Sequence, residues 1–183
     1  MLSLLTLLSV ADAQPPITHK CATLEQLRLA PPLITNADVP IRPPNSGKTE
    51  RDSVCSNCNT LSSDNFIVRW GSGVSQSQAQ SVLDSFEYSW DVEVDQLGYD
   101  QPSSTDTYLF NIYIGDSGGN SPGGYGAAGY FTGDNQGYPM IVLAKQTLTD
   151  EYYLDSTIAH EFFHALQGRT NRYDYDEYGA GAW

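Results

Sequence analysis

The chain has 183 residues, 40% of them apolar and 12 of them tyrosine, which suits one packed domain and is too short for two to be expected. Its formal charge is −13, from 22 acidic against 9 basic side chains. That charge repels phosphate backbones and anionic membrane surfaces, so no nucleic-acid partner is expected.

In chain order, an apolar run from Leu2 to Val10 ends in Ala11-Asp12-Ala13, a small-residue pattern at which secretory signals are cut. The segment is short and has no Lys or Arg ahead of its apolar core. Residues 1–13 are therefore expected to be a short signal peptide, or the end of a longer one, and either reading makes the protein secreted. No other stretch is long and apolar enough to span a bilayer, so stable membrane insertion is not expected.

Residues 14–60 carry Pro15-Pro16, Pro31-Pro32 and Pro43-Pro44 among many Ser, Asn and Thr. This composition reads as an extended arm or a pro-segment, and an inert linker explains it equally well. Only Ala22 to Leu29 has a helical look. The three cysteines are Cys21, Cys55 and Cys58. In an exported protein two are expected to pair and one to be left over, and the spacing does not say which. Cys55-Ser-Asn-Cys58 has the spacing of half a zinc ribbon, but no second such pair exists, so a disulfide is the expected state.

Residues 61–183 read as one domain. Phe66 to Trp70 is a short strand. Ser75 with Gln78 forms a capping box, and Ala79, Val82, Leu83, Phe86, Trp90, Val94 and Leu97 then keep the three-and-four spacing of an amphipathic helix that Gly98 stops. Tyr108 to Ile114 is a strand, and Tyr125 to Phe131 a candidate edge strand inside a glycine-laden stretch. Pro139 to Ala144 is a further strand. Asp155 to Gln167 is a second helix, capped by Asp155 or Ser156, with Gly168 just past its end. Mixed strands with two helices on one face make an α+β domain.

The second helix contains His160-Glu161-Phe-Phe-His164. Two histidines four apart lie one turn apart on one helix face, so both imidazoles reach a single metal ion. Ile158, Phe162, Ala165 and Leu166 fall on the opposite side and can be buried. Glu161 stands between the faces, where it can take a proton from water on the metal as a general base without being a ligand. Neither a Gly-x-Ser-x-Gly elbow nor a cysteine–histidine grouping is found in the sequence to support a nucleophilic route.

This segment resembles the active-site helix of the zincin zinc metallopeptidases. His-Glu-Phe-Phe-His-Ala-Leu-Gln is similar to the motif of secreted gluzincin-like metallopeptidases and, more distantly, of clostridial-type collagenases. The element order from Phe66 onward resembles a zincin upper subdomain, a mixed twisted sheet with two helices, the second carrying the motif. The resemblance implies a Zn²⁺ peptidase with His160 and His164 as ligands, Glu161 as catalytic base, a protein or peptide substrate, and Tyr125 to Phe131 as the strand that aligns it.

A metzincin would place a third histidine where Thr170 stands. A gluzincin supplies a glutamate from a later helix, and Glu177 is the carboxylate of that residue type here. A solvated acidic turn is the competing reading of Asp174 to Tyr178. Tyr173, Tyr175 and Tyr178 lie near enough in sequence to be considered as transition-state donors. The economical expectation is a chain that ends before the lower subdomain with its third ligand. Two other classes stay open: an inactive fragment or secreted binding protein on a zincin scaffold, and a zinc hydrolase acting on something other than peptides. Nothing in the residues sets an oligomeric state.

Overall fold

The structure, a computed structural model, describes residues 16–33 and 47–169. The expected signal peptide, Thr170, Tyr173, Tyr175, Glu177 and Tyr178 all lie outside them. The described elements are β1 (His19–Cys21), α1 (Thr23–Leu29), β2 (Asn59–Ser62), β3 (Phe66–Trp70), α2 (Gln76–Trp90), β4 (Phe110–Gly115), β5 (Ala127–Gly133), β6 (Pro139–Ala144) and α3 (Glu151–Arg169). A π-helical turn, Asp91–Gln96, continues α2, and a 3₁₀ turn, Lys145–Thr149, leads into α3.

All six strands join one mixed sheet in the order β1-β5-β6-β4-β3-β2. β3, β4 and β6 run parallel, while β2 and β5 pair antiparallel with β3 and β6. β1 pairs parallel with the outer side of β5, placing Cys21 opposite Gly129. The fold is thus mixed α/β with three α-helices among the described residues: the two expected on the sheet and α1, where Ala22 to Leu29 has a helical look. The expected boundary at residue 60 falls inside β2, and part of the proline-rich arm belongs to the fold, β1 as a strand of the sheet and α1 as a helix beside β5.

Helices α2 and α3 pack side by side on one face of the sheet over Phe66, Val68, Phe110, Ile112, Ile141 and Leu143, all buried. Phe66 is the hub, with ring centroids 5.3 Å from Phe86, 5.7 Å from Trp90 and 5.6 Å from Phe162. Such tilted and edge-on aromatic contacts add to plain burial. They clamp α3 through the residue that follows Glu161. The opposite face is covered by the loop before β2, where Val54, Cys55 and Cys58 pack near Tyr113 and Val142. Cys55 and Cys58 form the disulfide, the local pairing, and Cys21 is left as the odd cysteine.

Local chemistry explains where the elements begin and end. The Ser75–Gln78 capping box forms as the sequence predicts. Helix α3 starts earlier than expected, because Asp150, not Asp155 or Ser156, accepts the Tyr153 amide at 3.0 Å and caps its first turn. It also runs past Gly168, which lies within the helix rather than beyond its end. A Cβ there would come 2.8 Å from the Phe131 ring, so the glycine serves close packing instead of termination.

Gly129 has a similar part at the centre of β5. A Cβ at this position would stand 2.9 Å from Cγ of Glu161 and 3.2 Å from both Leu143 and Thr157. The missing side chain is what lets α3 bring Glu161 down onto the sheet. Gly129→Ala is therefore expected to destabilise the protein by about 1–3 kcal/mol, the usual cost of overpacking a tight core. Denaturant unfolding checks this; an unchanged midpoint would contradict the close approach.

Candidate metal centre

On α3, Ile158, Phe162, Ala165 and Leu166 are buried against the sheet, as helical spacing predicts. His160 is half-buried, and His164 is buried despite lying on the cleft side. Their Nε2 atoms converge to 3.2 Å. Nδ1 of His164 faces Oε1 of Gln167 at 2.9 Å. With the amide oxygen accepting, Nδ1 carries the proton and the Nε2 lone pair of His164 points at His160. In the metal-free chain a proton on Nε2 of His160 can bridge the two nitrogens as a hydrogen bond, and a metal ion at the same point would take that proton's place.

The third member of the cluster comes from the far end of the chain. Sγ of Cys21 lies 3.6 Å from Nε2 of His164 and 3.7 Å from Oε2 of Glu161, across 140 residues of sequence. The donor atoms of Cys21, His160, Glu161 and His164 all fall within 4.8 Å of one another. Around one tetrahedral zinc, two imidazole nitrogens stand about 3.3 Å apart and a thiolate about 3.6 Å from either, from bond lengths of about 2.0–2.1 and 2.3 Å. The observed 3.2 and 3.6 Å separations fit that donor set.

Glu161 is the most constrained of the four, with none of its surface exposed. Oε2 accepts from Thr23 Oγ1 at 2.9 Å, and Thr23 Oγ1 in turn accepts from the Phe131 amide at 2.8 Å. Oε1 has no hydrogen-bond partner among the described residues. Burial outweighs these hydrogen bonds and pushes the carboxyl up to about 7. The same burial, reinforced by the Glu161 charge, pushes the Cys21 thiol up to about 11. His160 is held below its ordinary value by burial and then by Lys20, and His164 chiefly by burial.

A cavity of about 340 Å³ opens beside the histidines, lined by Glu93, Leu97, Tyr99, Ala159, His160, Phe163 and His164. The π-helical turn shapes its wall. Leu97 donates its amide to Val92 at 2.9 Å, a five-residue spacing that shifts the phase of the helix. Leu97, expected on the buried stripe, is consequently 65% exposed, and Glu93 is turned inward. The sequence reading missed Glu93 for that reason: its position belongs to the polar face of a regular helix.

It also missed Cys21 and Thr23 as site residues. The one available signal was that three cysteines leave one unpaired. The expected edge strand, residues 125–131, corresponds to β5, but β1 covers its outer side, so β5 is not an edge. Glu177 lies outside the described residues.

The chain belongs to a family described as "Family of unknown function (DUF6055)", whose model matches residues 34–183. The matched stretch contains the two histidines and Glu161 and begins after β1 and α1. Neither the curated proteins nor the solved structures yield a match.

Glu93 supplies a pH test of this wall. Burial pushes its carboxyl up to about 7, above the usual 4.5, and Oε2 has no partner among the described residues. Between those two values the folded chain holds more protons than the unfolded one, so the contribution of Glu93 to stability declines as pH rises through that window. Glu93→Gln, which cannot ionise, is expected to raise the Tm at pH 8.5 and to change it far less at pH 5. Equal shifts at both pH values would contradict this account of the cavity wall.

Proposed function

We propose that the protein is a zinc-dependent peptidase. The observation that carries the reading is the convergence of the two histidine Nε2 atoms at 3.2 Å, with His164 oriented from behind by Gln167. A buried carboxyl on the same helix turn adds the base that hydrolysis needs. Zinc bound there supplies a Lewis acid that acidifies water and polarises a carbonyl oxygen.

The residues divide the remaining work. His160 and His164 would hold the metal, and Gln167, accepting from Nδ1, would keep His164 in the tautomer that presents the Nε2 lone pair to it. Glu161, buried on the same turn, would take a proton from the attacking water and pass it to the leaving amine. Hydrolysis then needs no covalent intermediate on the chain. The apolar walls from Leu97, Tyr99 and Phe163 suit a substrate side chain and exclude water beside the scissile bond. A zincin-like scaffold and export from the cell belong to the same proposal. Among the described residues no helix is long and apolar enough to cross a membrane.

Two variants test the reading together. His160→Ala is expected to lower zinc affinity by orders of magnitude in a calorimetric titration of the full chain. Glu161→Gln is expected to bind zinc nearly as well as the parent and to lose at least about 100-fold in peptide hydrolysis, the usual share of a general base. A Glu161→Gln chain that hydrolyses peptides as fast as the parent would remove the mechanism. Zinc binding without turnover in any form would favour a metal-stabilised binding module.

A further inference from the structure

Residues 16–29 meet the metal centre at three independent points. The first is the sheet edge. Thr18 donates its amide to the Gly126 carbonyl at 2.8 Å, and Ala22 donates to the Gly129 carbonyl at 3.2 Å. These are the backbone groups through which β5 would align an extended peptide. The second is the carboxyl, where Thr23 Oγ1 bonds Glu161 and also receives the Phe131 amide. The third is Cys21, whose sulfur completes the ligand set around the histidines.

We propose that this arm is a built-in inhibitor. Its strand fills the substrate edge of β5, and Cys21 closes the metal centre as the third protein ligand, making a latent form of the protein. The proposal rests on the metal-centre reading and adds regulation to it. Cys21 is no isolated thiol. Its sulfur lies 3.6 Å from Nε2 of His164 and 3.7 Å from Oε2 of the fully buried Glu161, with the donor atom of His160 within 4.8 Å, and Oε1 of Glu161 has no hydrogen-bond partner among the described residues.

The chemistry balances without an oxidant. The thiol gives its proton to solvent as the sulfur binds the metal, and no bond of the chain breaks. When the arm leaves β5, the sulfur takes up a proton and its position passes to solvent. Thr23 leaves with it, and Glu161 Oε2 then becomes available to water. The arm thus withholds the substrate edge, the base and the open metal position at once, which a bare structural linker would have no reason to do.

Cobalt(II) substitution of the full chain tests this by a readout other than turnover. With parental Cys21, the Co²⁺-loaded protein is expected to show a near-ultraviolet thiolate-to-cobalt charge-transfer band, absent from Cys21→Ser and Cys21→Ala. Iodoacetamide gives a second reading on the unaltered protein. With Cys55 and Cys58 in a disulfide, Cys21 is the free thiol, and under alkaline conditions that alkylate it in the metal-free chain, metal is expected to protect it until a chelator is added. The zinc-loaded Cys21→Ser chain is expected to cleave peptides at least about tenfold faster than the parent, measured as kcat/KM.

Metal binding by the parent with no charge-transfer band and no protection of Cys21 would overturn the inference while leaving the histidine site standing. A band in the parent with no gain of activity in either variant would overturn latency. Failure of the parent and both variants to bind either metal would overturn the metal reading itself.

Discussion

The constraint on which the structure turns is the burial of one carboxyl. Glu161 has no exposed surface, and a buried carboxylate is costly unless donors or a cation compensate it. Thr23 supplies one donor, and the second oxygen is left without a partner among the described residues. Much of the surrounding architecture serves to hold this group in place. Phe162 locks the helix into the aromatic hub beside it, Gly129 clears the strand beneath it, and Thr157 and Leu143 close in around it. A purely structural helix would put an apolar residue here. The proposed role of general base beside a metal ion would give that cost a function.

The same constraint links the arm to the domain. Without Thr23 the carboxyl would lose its hydroxyl donor, and without β1 the outer side of β5 would lose its parallel partner. The arm therefore stabilises the groups that it obstructs. Under the proposed function, release of the arm would remove a donor from Glu161, so arm release and the protonation of that carboxyl would be coupled. The apolar cavity beside the histidines lies on the side of the π-turn and owes its lining to Leu97, Tyr99 and Phe163.

Those features differ in how far they could be read from the residues alone. The Ser75–Gln78 box, the strand at Pro139–Ala144 and the apolar side of α3 follow from local rules of capping and periodicity. His160, Glu161 and His164 were legible because their spacing is local. The three-residue β1 has too few positions to show an alternating pattern, and Cys21 reaches Glu161 across 140 residues, a contact that no local pattern carries. The π-turn hid Glu93 by changing helical phase in mid-run, and Gly168 looked like a helix stop because its packing against Phe131 is tertiary.

The most direct measurement is X-ray absorption at the zinc edge on the full-length, zinc-loaded chain. The account predicts one zinc per chain with a first shell of two imidazole nitrogens at about 2.0–2.1 Å and one sulfur at about 2.3 Å. A shell of oxygens alone, or no bound zinc after dialysis, would contradict it.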